Sequence, residues 1–167
     1  MNYVIALGSN LGDRVGYLKL ACQELGALAA ISSIYETLPV GGPEGQGPYL
    51  NMVVIYESDR SPRKVLEECQ RIEGVARRCR NEYHGPRTLD LDIVVADTLV
   101  VEEPDLVIPH PRAKDRGFVI APIYEVDPML AWRLSPEIAA LLEHQLWQEG
   151  REIVTGVWLK GQLDLRT

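Results

Sequence analysis

Two aspartates carry the strongest chemical signal in the sequence. They alternate with apolar residues in the stretch Gly85-Pro86-Arg87-Thr88-Leu89-Asp90-Leu91-Asp92-Ile93. Period-two alternation predicts a strand with its aliphatic side chains on one face and Asp90 and Asp92 on the other. At about 3.3 Å of rise per residue, the aspartates lie about 6–7 Å apart, near enough for their carboxylates to bind phosphate-carrying divalent cations. The pair alone is also typical of a strand whose polar face meets water, so both interpretations stay open.

An arginine-rich segment directly precedes this strand. In a chain whose net charge is −7, the segment holds one acid, Glu82, and four arginines, Arg77, Arg78, Arg80 and Arg87. Guanidinium groups are permanently charged planar donors that suit phosphate oxygens. Together with the two aspartates, the segment predicts a site for Mg²⁺ and a polyphosphate, and phosphoryl or diphosphoryl transfer from a nucleotide. A solvated basic loop is the alternative for the arginines alone.

Residues 39–48 form a second unusual segment, with four glycines and three prolines. This composition excludes a helix or a central strand and predicts a long functional loop that keeps water out during transfer. The sequence contains neither Gly-x-x-x-x-Gly-Lys-Ser/Thr nor the protein-kinase motifs, which excludes the common nucleotide-binding folds.

The composition predicts one domain over residues 1–167, with a core at about 3–130 and a C-terminal extension from about 135. The pI of about 5.0 argues against a nucleic-acid surface, and the apolar runs are too short to span a bilayer. Met1 is followed at once by a strand-like segment, so we expect no secretory leader. Three cysteines without a C-x-x-C pair favour a reduced, cytoplasmic setting.

Hydrophobic periodicity predicts an α+β fold with a largely antiparallel sheet. Strands are expected at residues 3–7, 30–38, 49–56, 88–93 and 153–159, with a hairpin at 96–98 leading into 99–101. Helices are expected at 13–26, from 61, at 113–125 and from 135. Their predicted apolar faces include Val15, Leu18, Cys22 and Leu25, then Val65, Cys69, Ile72 and Ala76, and finally Ile138, Leu141, Leu142 and Leu146. The first six elements follow the βαββαβ order of a ferredoxin-like plait, with two main helices on one face and C-terminal additions.

Further motifs accompany the aspartate strand in a fixed order. They are residues 6–12 (Ala-Leu-Gly-Ser-Asn-Leu-Gly), Tyr35-Glu36-Thr37, Tyr49-Leu50-Asn51, Pro109-His110-Pro111-Arg112 and Arg116-Gly117-Phe118. With the nine-residue stretch at 85–93, this set resembles the 6-hydroxymethyl-7,8-dihydropterin pyrophosphokinases of folate biosynthesis over roughly residues 3–130. The resemblance implies a ferredoxin-like architecture, ATP with two Mg²⁺ ions as donor, and transfer of the diphosphate to the pterin hydroxymethyl oxygen, releasing AMP.

The resemblance also implies a role for each matched position. Asp90 and Asp92 would ligate the two Mg²⁺ ions, and Asp92 would help deprotonate the attacking hydroxyl. The residues implied as catalytic are Arg78, Arg87 and Asp92. The ATP-binding residues would be Gln70, Glu73, Arg78, Arg80, Arg87, His110 and Arg116. The pterin-binding residues would be Thr37, Leu38, Val40, Tyr49, Asn51, Asp90 and Phe118, with Tyr49 and Phe118 stacking on either side of the bicycle.

Two features depart from the family pattern. His84 stands where an aromatic residue, often tryptophan, is usual, so we expect loop closure over the arginines to differ. The segment from about Ser135 extends past the shorter members, and we expect it to be a packing or dimer element. We expect a monomer, with a dimer as the alternative. The expected partners are small-molecule substrates, ATP and the pterin, rather than nucleic acid or a membrane.

Two rival function classes remain to be separated from this enzyme. A non-catalytic ferredoxin-like module that binds a small regulatory ligand would leave ATP intact and would not need paired acids beside arginines. An RNA-binding domain on the same fold would carry exposed sheet aromatics in a basic strand. One phenylalanine and a pI of about 5.0 disfavour the RNA-binding class.

Overall fold

The structure of the protein is a computed structural model that describes residues 1–38, 47–78 and 88–166. Several predictions fall outside these residues. They concern most of the Gly/Pro-rich segment, with Val40, and the positions of Arg80, Glu82, His84 and Arg87. The side chain of Arg78 lies outside the description as well.

Within these ranges the chain forms nine strands and five α-helices. The strands are β1 (Asn2–Ser9), β2 (Leu28–Ile31), β3 (Ile34–Thr37), β4 (Tyr49–Glu57), β5 (Asp90–Ala96), β6 (Val101–Glu103), β7 (Leu106–Ile108), β8 (Glu152–Val154) and β9 (Val157–Gly161). The helices are α1 (Arg14–Leu25), α2 (Pro62–Arg78), α3 (Gly117–Val126), α4 (Pro128–Leu134) and α5 (Pro136–Leu142).

Seven strands form one sheet in the order β5-β1-β4-β3-β9-β8, and β2 pairs with β4 beside this path. Every pairing between the described strands is antiparallel. The predicted α+β class with a largely antiparallel sheet is therefore confirmed. In the described parts of the chain, no helix combines the length and apolar character that a membrane crossing requires.

The sheet is covered by helices on both faces. On one face, α1 and α2 share a hydrophobic core with alternate residues of the central strands, such as Ile5 and Val54. On the other face, α3, α4 and α5 pack on the intervening residues, such as Val4 and Val53. The prediction that the two main helices share one face is confirmed, and the C-terminal helices supply the third layer.

The ends of α1 are fixed by the two residues that bound the helix predicted at 13–26. The carboxylate of Asp13 accepts the N–H of Gly16 at 3.0 Å, which satisfies one of the free donors of the first turn. Gly26 has φ 82° and donates its N–H to the Cys22 carbonyl at 3.1 Å. The predicted apolar face is correct except for Val15, which is 47% exposed because it lies in the first turn, beside the solvent.

Residues 30–38 form two strands rather than the predicted single strand. β2 and β3 both pair with β4 and are separated by a bend at Ser32 and Ser33. The hydroxyl of Ser32 accepts the N–H of Val53 at 2.9 Å. The backbone N–H of Ser32 donates to the Val53 carbonyl. The serine therefore replaces one rung of strand pairing, which a pattern of β-favouring residues does not reveal.

The prediction of a hairpin at 96–98 that leads into a strand at 99–101 is wrong. β5 ends at Ala96, and Val101 of β6 pairs with Ile108 of β7 in a separate two-stranded sheet. Asp97 adopts φ 47° in the turn, so the predicted turn exists, but the chain leaves the main sheet there. The partner of a short strand is decided by tertiary packing rather than by the turn that precedes it.

The C-terminal part differs most from expectation. The predicted helix at 113–125 is a 3₁₀ turn at Ala113–Asp115 followed by α3, and α4 was not predicted. α5 ends at Leu142, so Leu146 lies beyond it, and both Leu141 and Leu146 are exposed. The strand expected at 153–159 is instead the β8–β9 hairpin, because Gly156 with φ 78° permits a tight turn.

The carboxylate of Glu125 ties α3 to the sheet. Glu125 accepts the N–H and the hydroxyl of Ser33, each at 3.0 Å, and the hydroxyl of Tyr35 at 2.6 Å. Burial, and then the neighbouring Glu125, raise the pKa of Tyr35 far above its usual value, so the phenol stays protonated and donates. These bonds fix the position of α3 relative to β3.

We expect Tyr35→Phe to lower the free energy of unfolding by about 0.5–1.5 kcal/mol, because the buried Tyr35 ring loses its 2.6 Å hydrogen bond to Glu125, an exposed carboxylate that water can still solvate. Urea denaturation of this variant, alone and combined with Glu125→Gln, measures the coupling. Tyr124→Phe is the matched control, since its ring stacks on Trp147 at 5.8 Å and that contact survives loss of the hydroxyl. Wild-type stability of Tyr35→Phe would contradict the assigned role.

Candidate active site

A cleft of about 600 Å³ crosses one face of the sheet from β5 to the turn between β8 and β9. We call it the β5–β9 cleft. Its floor is formed by residues of β1, β3, β4 and β5, and the N-terminal end of α3 lies along one side. It brings together Asp90, Asp92, Arg116 and Phe118, four residues that are distant in sequence from the β1 motif.

The strand register carries the two aspartates into this cleft. Leu91 and Ile93 are buried in the core beneath α1 and α2, so Asp90 and Asp92 point to the opposite face, where both are half-buried. The predicted alternation is thus confirmed. On the neighbouring β1, Gly8 pairs with Asp90 and Ala6 with Asp92. Neither Gly8 nor Ala6 has a side chain larger than a methyl group, so β1 itself does not cover the carboxylates.

Because Gly8 has no side chain, it leaves the cleft floor open between Asp90 and Asn51. It pairs with Asn51 of β4 on its other side, and a Cβ at Gly8 would lie 3.3 Å from the Asn51 Oδ1 atom. The amide of Asn51 donates to the Thr37 hydroxyl at 2.9 Å, and both side chains are buried. A neutral polar pair therefore forms the part of the floor that lies away from the aspartates.

The remaining predicted pterin contacts have different exposures. Tyr49 pairs with Thr37 across β3 and β4, is half-buried and lines the cleft. Leu38 also lines the cleft but is 60% exposed at the end of the described segment. Phe118 lines it from α3. The cleft therefore presents two aromatic rings, as stacking on a flat bicycle requires, together with the buried amide of Asn51.

Arg116 and Phe118 lie at the beginning of α3. The Arg116 carbonyl accepts the N–H of Val119 at 3.0 Å, which begins the helix. The guanidinium carbon of Arg116 lies 5.6 Å from the centre of the Phe118 ring. This cation–π contact orients a positive charge towards the cleft beside an aromatic surface.

His110, Glu73 and Gln70 were predicted at the nucleotide site, but none of them lines the cleft. The carboxylate of Glu73 accepts the N–H of Leu91 at 3.0 Å, so it supports β5 between the two aspartates. Gln70 is exposed on α2. Their predicted contacts with ATP are not tested by this arrangement.

His110 is held by its backbone and by one ring nitrogen. Its N–H donates to the Val94 carbonyl at 2.8 Å, and its Nδ1 accepts the N–H of Arg112 at 3.2 Å. A neutral ring with this bond carries its proton on Nε2. Burial lowers the pKa of His110, while the negative charge of Asp92 acts in the opposite direction.

The donor set suits a metal that is shared with a substrate. Among the described residues, no group of three or more His, Cys, Asp and Glu side chains is arranged to hold a metal ion. Two half-buried carboxylates that line one cleft match Mg²⁺, which usually takes one or two protein carboxylates and completes its shell with water and substrate phosphates. The residues present therefore fit such an ion.

Sequence reasoning missed one wall of the cleft. Thr155, Gly156 and Val157 line it from the turn between β8 and β9. The available indication was the Thr-Gly pair between two short apolar runs, which is typical of a hairpin turn. Nothing in the local pattern indicated which surface that turn would meet.

Comparison with known proteins gives a consistent result. The model of the family described as 7,8-dihydro-6-hydroxymethylpterin-pyrophosphokinase (HPPK) matches residues 4–128. A Bacillus subtilis (strain 168) protein named 2-amino-4-hydroxy-6-hydroxymethyldihydropteridine pyrophosphokinase is 46% identical over 127 residues, which cover 73% of this chain and 75% of that protein. A Mycobacterium tuberculosis (strain ATCC 25618 / H37Rv) protein of the same name is 43% identical over 136 residues, covering 75% and 72%.

A solved structure supports the same fold. The crystal structure of a Plasmodium falciparum HPPK-DHPS triple mutant with STZ-DHP matches with a TM-score of 0.63 at 13% identity. The match covers 93% of this chain and 46% of that one, so this chain spans about half of the longer protein. At this identity the likeness concerns the fold alone.

In the metal-free protein, we expect His110 to titrate below the usual imidazole value of about 6.5, because burial disfavours the imidazolium more than Asp92 favours it. Asp92→Asn should lower the pKa further, since it removes the favourable charge. An NMR titration of the imidazole protons, assigned with His110→Gln, measures both effects. A pKa above the usual value, or a rise in Asp92→Asn, would show that the carboxylate dominates instead.

Proposed function

This chain belongs to the 7,8-dihydro-6-hydroxymethylpterin-pyrophosphokinase family, whose reaction is pyrophosphoryl transfer to hydroxymethyldihydropterin in folate biosynthesis, and we propose that it performs this transfer in the β5–β9 cleft. The donor in this proposal is ATP with Mg²⁺, and the products are AMP and the pterin diphosphate. The observation that carries the proposal is the convergence of Asp90, Asp92, Arg116, Phe118 and Asn51 on one cleft.

The phosphate end of the site is assigned to the β5 side of the cleft. We propose that Asp90 and Asp92 hold two Mg²⁺ ions, which when bound neutralise phosphate charge and stabilise the transition state of the transfer. Arg116 is the described cation that lines this cleft together with the aspartates. The remaining proposed phosphate contacts are Gln70, Glu73, Arg78, Arg80, Arg87 and His110.

The pterin end of the site is assigned to β3 and β4. We propose that Tyr49 and Phe118 stack on the two faces of the bicycle, because both rings line the cleft. Asn51 and Thr37 are a hydrogen-bonded, buried pair that can exchange partners with the amino and oxo groups of a pyrimidine ring. Leu38 and Val40 complete the proposed pterin contacts, and Asp90 is assigned to the hydroxymethyl end.

The proposed mechanism is a direct in-line displacement at the β-phosphorus. The cleft holds the hydroxymethyl oxygen near the β5 carboxylates, which replaces an encounter between two free molecules with a fixed geometry. Asp92 accepts the hydroxyl proton as the oxygen attacks. Arg116, with Arg78 and Arg87, stabilises the charge that develops on the phosphate oxygens and on the departing AMP oxygen.

The topology supports a more specific fold proposal. The order β5-β1-β4-β3 with α1 and α2 on one face is the order of a ferredoxin-like βαββαβ plait, to which β2 and the C-terminal β8–β9 hairpin are additions. We also propose a cytoplasmic reaction, since reduced, unpaired Cys22 and Cys69 are buried in the core.

The proposal predicts that Asp92→Ala keeps the fold and lowers turnover by about two orders of magnitude or more, because the substitution removes a carboxylate that acts mainly in the transition state. AMP release from Mg²⁺-ATP with 6-hydroxymethyl-7,8-dihydropterin measures it, with circular dichroism as the check on folding. Asp59→Ala, which removes an exposed aspartate before α2, is the matched control and should keep wild-type turnover.

Three results would count against this proposal. Near-normal AMP release by Asp92→Ala would remove the aspartate from the mechanism. AMP release by the wild type that does not require the pterin would contradict the assigned acceptor. Folded wild-type protein that binds the pterin but leaves ATP intact would favour the non-catalytic ligand-binding module.

A further inference from the structure

The turn between β8 and β9 lies at the end of the β5–β9 cleft opposite to the aspartates. Val157 pairs with Thr37, so β9 continues the sheet directly beyond the buried Asn51–Thr37 pair. Four strand spacings of about 4.8 Å separate β5 from β9, which places the two ends of the cleft roughly 19 Å apart. Thr155, Gly156 and Val157 line that far end.

This turn is held firmly on both sides. The carboxylate of Glu152 accepts the N–H of Gly156 at 2.8 Å, and Gly156 has φ 78°, a conformation that favours glycine. Val154 packs so closely on the beginning of α3 that a Cβ at Gly117 would lie 2.9 Å from its Cγ2 atom. The turn and the segment carrying Phe118 are therefore positioned by the same contact, which makes the turn a fixed wall.

The turn belongs to a part of the chain that the family match does not cover. The family model ends at residue 128, while the hairpin begins at Glu152. Its contribution to the cleft is therefore a property of this chain that cannot be taken from the matched positions.

The orientation of the substrate follows from the proposed function, on which this inference rests. The hydroxymethyl group on the pyrazine ring must reach the phosphates beside Asp90 and Asp92. The fused pyrimidine ring then points away from β5, so its 2-amino and 4-oxo groups face Asn51, Thr37 and the turn beyond them. Any substituent on the 2-amino group would extend towards Thr155 or Val157.

We propose that Thr155, Gly156 and Val157 form the end wall of the pterin subsite. This wall makes the site selective for pterins that carry no substituent on the pyrimidine edge. The wall excludes substituents by its shape, because its backbone is fixed by Glu152 and by packing against α3. These are specificity-determining residues, and none of them takes part in the transfer.

The test uses Thr155, whose exposed side chain can be changed with little effect on the core. Thr155→Trp should narrow the far end of the cleft and weaken binding of 6-hydroxymethyl-7,8-dihydropterin about tenfold. Thr155→Gly should widen it and improve binding of the N2-methyl analogue relative to the parent pterin by about threefold or more. Calorimetry of each purified full-length variant without ATP measures both constants, and thermal unfolding confirms the fold.

Thr98→Trp is the matched control. Thr98 is an exposed threonine in the turn after β5 and does not line the cleft, so pterin binding should stay at the wild-type value. Binding of a non-hydrolysable ATP analogue should be unchanged in all three variants, because the phosphates lie at the other end.

Each outcome decides between two conclusions. The proposed wall is supported if Thr155→Trp weakens pterin binding, or Thr155→Gly improves relative binding of the N2-methyl analogue, by about threefold or more while Thr98→Trp is unchanged. A change in the opposite direction at Thr155 overturns it. Smaller changes in both measurements, with wild-type AMP release intact, overturn this inference and leave the proposed function standing. Failure of the wild type to release AMP with the pterin overturns the proposed function, and the wall with it.

Discussion

The two-sided burial of β5 is the constraint on which the site depends. Leu91 and Ile93 are buried beneath α1 and α2, and burying each such side chain stabilises the fold by about 1.5–3 kcal/mol. A slip of one residue against β1 would expose them and place the aspartates in an apolar core. The register of Gly8 against Asp90 is therefore set by hydrophobic packing on the opposite face. The two carboxylates are therefore positioned by aliphatic residues that lie outside the cleft.

The cleft changes character along its length in a way that matches the proposed pair of substrates. Near β5 it has two carboxylates, with Arg116 as a counter-charge, which suits metal-bound phosphates. Near β3 it has a neutral hydrogen-bonding pair, Asn51 and Thr37, which suits the polar edge of a heterocycle. Gly8 lies between these two regions and keeps the floor low where the substrates meet. The proposed function places the transfer where the charged and the stacking parts of the cleft adjoin.

The C-terminal segment contributes strands to the sheet and residues to the lining of the cleft. β9 adds to the sheet beside β3, and α4 and α5 pack with α3 on the same face of the sheet as the cleft. Leu163 and Leu165 pack against the core beneath α1 and α2. The prediction that this extension is a packing or dimer element did not include a place in the cleft wall, where residues 155–157 lie. Glu125 of α3 is hydrogen-bonded to Ser33 and to Tyr35. These bonds connect the helical layer to β3, the strand that pairs with β9.

The sequence by itself determined those features that depend on residues close together in the chain. The alternation around Asp90 and the end of α1 at Gly26 each depend on neighbours a few residues away, and the motif set identified the family. Only the tertiary structure decided the partner of β6, the division of residues 30–38 into two strands, and the surface that Thr155 meets. Those outcomes depend on contacts between residues far apart in the chain, whose energies no local pattern contains.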